Sequence, residues 1–326
     1  MSSSKVKTLA YSLSVITGLM LAGCKDNSGE QAAPVVSAPE KPAADGSSPT
    51  TAPETVTESA LIEPGLYSGR FEPTAEFTKA REAFDKWAGE DAESEYIMNL
   101  KDVPKQFHPF MYLDPLYGYY AFITPNRLSI VIDEMRADKT FSAHSVAAGN
   151  QRPITGTWEK TESGFHLAGS ELGDDKNDGS FDMVLDTVNL SGTWKSKDVA
   201  ASPKAFKLER KTFVYNPKLA QEEKEDEYVN LGESGMEKNP SIDTLKTRDV
   251  ENLTQPQIRI IRNFIFARHG YSFNKKDLRL VFEAYDWYVP VSNDVKAELT
   301  DIEKANLALL TRYEKYADKH YDEFGR

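Results

Sequence analysis

From Arg127 onward the chain alternates apolar and polar residues with a period of two, and this constrains the fold more than any other feature. Leu128, Ile130 and Ile132 alternate with Ser129, Val131 and Asp133; then come Phe141, Ala143 and Ser145; Ile154, Gly156 and Trp158; Phe165 and Leu167. Phe181, Met183 and Leu185, then Leu190, Gly192 and Trp194, then Phe206 and Leu208 complete the series. Successive strand side chains point to opposite faces, so each run buries one face and wets the other. Ala137-Asp138-Lys139, Gly149-Asn150, Ser163-Gly164, Asp178-Gly179 and Ser202-Pro203 supply turn chemistry between runs. Seven short strands with short connections predict an antiparallel meander, either a curved sheet or a small barrel. Ile154-Thr155-Gly156-Thr157-Trp158 and Leu190-Ser191-Gly192-Thr193-Trp194 repeat nearly the same text. A glycine two residues before a tryptophan leaves room for a ring from the neighbouring strand.

Ahead of the strands, order begins near Pro64. Thr74 caps a helix whose apolar positions Phe77, Ala80, Phe84 and Trp87 form one stripe, which makes it a helical insertion. The stretch Val103 to Tyr120 is rich in proline and aromatics, with Phe107, His108, Phe110, Tyr112, Tyr117, Tyr119 and Tyr120. Without a periodicity of its own it reads as core for a loop, with stacking on a sugar ring as the alternative.

Residues 1–23 read as a targeting segment. Lys5 and Lys7 precede an apolar run from about Leu9 to Leu21, too short for a typical membrane-spanning helix. Leu21-Ala22-Gly23-Cys24 resembles the lipobox of bacterial lipoproteins, which implies cleavage before Cys24 and acylation of that cysteine. Two or more acyl chains give stable anchoring, so a lipid bilayer is an expected partner. The resemblance, with Lys25 following the cysteine, points to the outer membrane of a Gram-negative envelope. Cys24 is the only cysteine, so no internal disulfide is available. Residues 24–62 are dominated by Ala, Pro, Ser, Thr and Glu, and such a composition cannot offset the entropy of ordering. As a tether the segment reaches about 33 Å.

A formal net charge of -12 argues against nucleic acid as a partner, because phosphate binding needs clustered cations. The 40% hydrophobic content of 326 residues suffices for a β-rich domain over 63–217 and a second core. An acidic run, Gln221-Glu222-Glu223-Lys224-Glu225-Asp226-Glu227, marks 218–245 as a linker. Residues 246–326 read as a small all-α domain, making the whole α+β. Thr254 and Pro256 open a helix with two apolar stripes, Ile258, Ile261, Ile265 and Ile260, Phe264, Ala267, and Gly270 takes the left-handed position after it. A second helix turns Leu278, Val281, Phe282 and Tyr285 inward. Thr300 and Glu303 form a capping box for a third, with Ile302, Ala305, Leu309, Tyr313 and Tyr316 as its inward stripe.

Arg268-His269-Gly270 is the tripeptide that opens the active site of histidine phosphatases, but there it follows a strand of an α/β sheet. Here it follows a helix, and a three-residue match has a high false-positive rate. A wider set of residues, Arg262-Asn263-Phe264-Ile265-Phe266-Ala267-Arg268-His269-Gly270-Tyr271-Ser272-Phe273, then Leu278, Phe282, Trp287-Tyr288, Pro290, Leu299-Thr300 and Glu303-Lys304-Ala305-Asn306, resembles the YARHG domain, a small extracellular module of exported bacterial proteins. Phe266 replaces the tyrosine of that name. Ala148-Gly149-Asn150-Gln151-Arg152-Pro153-Ile154-Thr155-Gly156 resembles a β-rich region that often precedes the module.

The candidate binding residues are Arg262, Arg268, His269, Tyr271, Trp287 and Tyr288 around the helix end, with Asn150 and Arg152 at the mouth of the sheet. A structural role predicts Arg262 paired with Asp286 or Glu303 and His269 capping carbonyls. A functional role predicts a polar pocket between the helix end and Trp287-Tyr288 that holds an anionic or glycan ligand. The five histidines form no His-x-x-x-His or Glu-x-x-His pair, and Asp174-Asp175-Lys176-Asn177-Asp178-Gly179 departs from calcium-loop spacing, so no metal or cofactor is expected. The expectation is a membrane-anchored envelope protein that binds peptidoglycan or another envelope component without catalysis. The alternatives are an envelope hydrolase using His269 with Arg268 or Arg262, and an accessory subunit of a membrane assembly.

Overall fold

The computed structural model describes residues 65–89, 97–114, 118–219 and 238–320. The targeting segment, Cys24, the tether and the acidic run at Gln221 lie outside the described residues. The chain forms β1 (Gly65–Phe71), α1 (Ala75–Ala88), β2 (Met111–Leu113), β3 (Tyr120–Phe122), β4 (Arg127–Met135), β5 (Thr140–Ala147), β6 (Asn150–Thr161) and β7 (Gly164–Glu171). There follow β8 (Gly179–Leu185), β9 (Asn189–Ser196), β10 (Lys204–Lys211), α2 (Thr247–Val250), α3 (Gln255–Arg268), α4 (Lys276–Glu283) and α5 (Asp301–His320).

The seven alternating runs are β4 to β10, and β1 pairs with both β10 and β4 to close an antiparallel barrel of eight strands. The alternation of β1 is hidden because its central inward position is Gly69, where a Cβ would lie 2.8 Å from the Lys207 carbonyl oxygen. Tyr67, Leu128, Ile130, Ile154, Leu167, Met183 and Phe206 are among the buried side chains that fill the interior. At Gly156 an added Cβ would meet the Phe141 ring at 2.7 Å, as the repeated Gly-x-Trp text predicts. At both repeats a backbone oxygen lies nearer still to the added Cβ, that of Ala168 at 2.1 Å for Gly156 and that of Asp182 at 2.1 Å for Gly192, and no ring is among the nearest neighbours of Gly192.

Between β1 and β4 lies the helical insertion. Thr74 Oγ1 accepts the Phe77 N–H at 3.2 Å to cap α1. The aromatic stretch is a core of its own: Phe84, Val103, Phe107, Met111 and Phe122 are buried together, and Phe110 stacks on Phe122 at 5.6 Å. Trp87, expected in the stripe of α1, is 44% exposed.

Helix α3 is buried on both stripes. Ile260, Phe264 and Ala267 meet Phe273, Leu278 and Phe282, while Ile258, Ile261 and Ile265 meet Val250, Leu253 and Leu310. Gly270 has φ 71°, the left-handed conformation that ends α3. The inward face of α5 differs from the expected stripe. Ile302 and Tyr316 are 40% and 50% exposed, and the buried positions are Glu303, Asn306, Leu310 and Ala317. Leu309 and Tyr313 of the expected stripe do pack against the core, but two of the four buried positions are polar and fully hydrogen-bonded, so a purely apolar stripe is rotated from the buried face. Asn306 Oδ1 accepts the Leu245 N–H at 3.0 Å, and its Nδ2 donates to the Pro240 and Asp243 carbonyls at 2.7 Å. Residues 239–245, read from sequence as the end of a linker, are thereby packed into the helical region. Among the described residues no helix is long and apolar enough to cross a membrane.

Two contacts join barrel and helices. The β5–β6 hairpin turns through Ala148 and Gly149, both with positive φ, and a Cβ at Gly149 would lie 2.4 Å from Asn274 Cα. The Gly149 N–H donates to Ser272 Oγ at 3.0 Å. On the other side, Arg127 Nε donates to the Glu283 carbonyl at 3.0 Å and Nη2 to the Tyr285 carbonyl at 2.7 Å, and Arg70 also donates to the Glu283 carbonyl. Both guanidinium groups thus sit at the C-terminal end of α4, where the helix dipole favours cations. The Glu283 carboxylate accepts the Arg127 backbone N–H at 2.9 Å.

Candidate functional site

His269 ends α3 and is 5% exposed. Its Nε2 lies 2.9 Å from Glu303 Oε2, and its ring stacks on Tyr215 with centroids 4.1 Å apart and planes 12° apart. The Tyr215 hydroxyl donates to Glu303 Oε1 at 2.9 Å, and the Thr300 N–H donates to Oε2 at 2.9 Å, which completes the capping box of α5. The histidine therefore binds a carboxylate rather than carbonyls at the helix end. Burial raises the pKa of Glu303, but hydrogen bonds from His269, Thr300, Ser241 and Tyr215 outweigh it and bring the value down to about 2. Burial, then the hydrogen bond to Glu303, pushes the Tyr215 hydroxyl up to about 12.

Arg268 is fully buried. Nε donates to the Leu219 carbonyl at 3.0 Å, and Nη1 to Asn239 Oδ1 at 2.9 Å and Ser241 Oγ at 3.0 Å. Burial lowers its pKa to about 10. The guanidinium holds Leu219 and the Asn239–Ser241 turn against α3. Arg262 pairs with Glu314 of α5 at 2.6 Å, not with Asp286 or Glu303. That partner lies one helix away in space and far along the chain, so spacing gives no sign of it.

Trp287 stacks on Tyr285 at 5.6 Å, and the Tyr288 hydroxyl donates to the Tyr271 carbonyl at 2.6 Å. These residues pack with Phe264 and Phe282 on one side of α3, whereas His269 faces Tyr215 and α5 on another. His269 and Trp287-Tyr288, expected around one pocket, thus pack on different sides of α3. Arg262, Phe266 and Tyr271 instead line a separate groove of about 490 Å³ with Asn293 and Lys296.

Asn150 and Arg152 stand at one rim of the barrel and line a cavity of about 400 Å³ with Phe71, Glu171, Trp194 and Lys204. Arg152 Nε is 3.0 Å from Asp178 Oδ1, and Asp175 is held by its own turn, accepting the Asn177 N–H at 2.7 Å. Asp175 and Asp178 of this loop are thus committed to protein groups. Among the described residues no three His, Cys, Asp or Glu side chains converge as a ligand set for a metal ion. Glu171 and Lys204 belong to no motif, and Trp194 enters only through the repeated Gly-x-Trp text; their signal is a polar or aromatic residue at an inward position of a strand end.

The arrangement near His269 is a hydrogen-bonded clamp, and the concave surfaces that include expected binding residues are the rim cavity and the groove beside α3. No curated protein and no solved structure matches the chain. Residues 240–315 match the family model of the YARHG domain, a module typical of extracellular or periplasmic proteins.

Proposed function

We propose that the chain is an exported, lipid-anchored protein of the bacterial envelope that binds a cell-wall or other envelope component and does not act as a hydrolase. The burial of His269 carries this reading. A nucleophile or general base must reach the atom it attacks, and this imidazole is enclosed by Tyr215 and Glu303. Arg268 is likewise enclosed, and Arg262 is neutralised by Glu314. These contacts favour a binding role over a hydrolase built on His269 with Arg268 or Arg262. The Leu21-Ala22-Gly23-Cys24 motif supports the anchor, and the YARHG domain supports an extracytoplasmic setting.

The reading is tested by expressing the full chain with labelled palmitate and sedimenting the detergent-solubilised product with isolated sacculi and envelope fractions. Label should enter the native protein and not Cys24→Ala, and the native protein should sediment with one of the fractions. An unlabelled chain removes the anchor. A labelled chain that stays in the supernatant with every fraction removes the binding role.

A further inference from the structure

Along the barrel strands the inward positions are apolar until one rim, where they become polar. On β5 the inward series runs Phe141, Ala143, Ser145; on β6 it runs Trp158, Gly156, Ile154, Arg152; on β7 it runs Phe165, Leu167, Gly169, Glu171. On β10 it runs Leu208, Phe206, Lys204. Because neighbouring strands are antiparallel, with Ser145 opposite Arg152, these polar ends meet at the same rim. At the opposite rim Met135, Phe141, Trp158 and Leu185 are buried in the apolar core, and Trp158 Nε1 is satisfied by the Arg136 carbonyl at 3.1 Å. One end of the barrel is sealed with hydrocarbon and the other is lined with hydrogen-bonding groups.

Inward-facing charges carry a desolvation cost that an apolar seal would avoid, so their arrangement is informative. Glu171, 4% exposed, accepts from Ser145 Oγ at 2.7 Å, the Gly179 N–H at 2.7 Å and Trp194 Nε1 at 3.3 Å. Arg152 is paired with Asp178. Arg152 is thus neutralised by Asp178, while the Glu171 carboxylate is held by three neutral donors, which leaves a rigid frame of donors and acceptors. Beside that frame, Lys204 Nζ lies 5.5 Å from the Phe71 ring centre and 5.4 Å from that of Trp194. Asn126, Asn150 and Asn177 add amides around a cavity of about 400 Å³, within the range of small-molecule sites and at the barrel mouth where such sites occur.

We propose that this rim cavity is a saccharide-binding site. A hydroxyl-rich ring presents C–H groups to the Trp194 and Phe71 faces and hydroxyls to the asparagine amides, Arg152 and Lys204. The inference rests on the binding role proposed above and names the chemistry of its ligand.

The test is calorimetric titration of the full-length protein with N-acetylglucosamine, its β-1,4 disaccharide and N-acetylmuramic acid, repeated with Lys204→Met, Asn177→Ala and Trp194→Leu. Lys204 and Asn177 are exposed, so their variants keep the fold even where Trp194→Leu perturbs it. At least one sugar should bind, and Lys204→Met and Asn177→Ala should weaken it by about tenfold, the loss of one good contact. Lys296→Met, in the groove beside α3, should bind as the native protein does. The proposal is overturned if no sugar binds, or if the Lys204 and Asn177 variants bind within about twofold of native. Sedimentation with sacculi separates the two readings. If native protein sediments but binds no sugar, the envelope role stands and the rim site falls; if it binds sugar but does not sediment, the reverse holds.

Discussion

Glu303 collects donors from His269, Tyr215 and Thr300, three points widely separated in the chain, at distances of 2.9 Å. Removing a buried partner leaves the others unpaired, at a cost of about 3–5 kcal/mol. Glu303→Ala should lower the unfolding free energy by that amount in urea titrations, whereas Ile302→Ala, on the exposed face of the same helix, should change it by about 0.5 kcal/mol or less. The pH dependence follows from the depressed pKa. Its folded value, about 2, lies below the usual 4.5, so the contribution is complete above pH 4.5 and is lost as pH falls toward 2. Stability measured between pH 5 and pH 2.5 should decline less steeply in Glu303→Gln than in the native protein. The tripeptide Arg268-His269-Gly270 suggests chemistry when read alone, yet each member serves the architecture, as a buried clamp, a carboxylate partner and a left-handed terminus.

The β5–β6 hairpin is a wedge whose fit depends on the absence of one methyl group. Gly149→Ala would strain a φ of 81° and press a Cβ toward Asn274 Cα, so it should destabilise the chain by about 1–3 kcal/mol, read as a lowered melting temperature. Helix α4 ends on a buried carboxylate, Glu283, whose pKa burial raises to about 7 against the pull of the Arg127 N–H and the guanidinium groups of Arg279, Arg70 and Arg127. A raised carboxyl pKa has the opposite sign to that of Glu303. Its contribution is complete below pH 4.5 and is lost as pH rises through 7. Urea midpoints should fall between pH 6 and pH 8, and Glu283→Gln should flatten that fall. Strands β4 to β10 were legible because each carries an alternating run bounded by turn residues, interrupted in β4 only by the register shift between Ile132 and Glu134, as were the caps at Thr74, Thr254 and Thr300. Strand β1 was not, since Gly65 and Gly69 leave only Tyr67 and Phe71 to mark its inward face. The face of α5 was misread because Glu303 and Asn306 are polar residues turned inward. The partners of Arg262 and His269 depend on how α5 crosses α3, which no local spacing encodes. Asn150 and Arg152 follow the Gly149-Asn150 turn and so could be placed at the mouth of the sheet, whereas Glu171 and Lys204 become visible there only once the inward register of every strand is known.

Barrel and helical region are held together by charged hydrogen bonds as well as by the hairpin wedge. Arg70 and Arg127 reach across from β1 and β4 to the last carbonyls of α4, and hydrogen bonds to charged groups contribute about 1.5–3 kcal/mol each. The full chain should therefore unfold in one transition, seen alike by far-ultraviolet dichroism and tryptophan emission. The double variant Arg70→Ala, Arg127→Ala should separate the two probes, with the helical signal lost first; coincident curves in that variant would show that the hairpin alone suffices. Closure of the eight strands has a further consequence for how partners approach. A peptide commonly recruits a β protein by adding itself as an extra strand, and that requires a row of unpaired amides and carbonyls along a sheet margin. A continuous barrel offers no such margin, so whatever meets the barrel wall, as distinct from the short β2–β3 ribbon, must be recognised through side chains, and its specificity must be written in their chemistry rather than in the main chain.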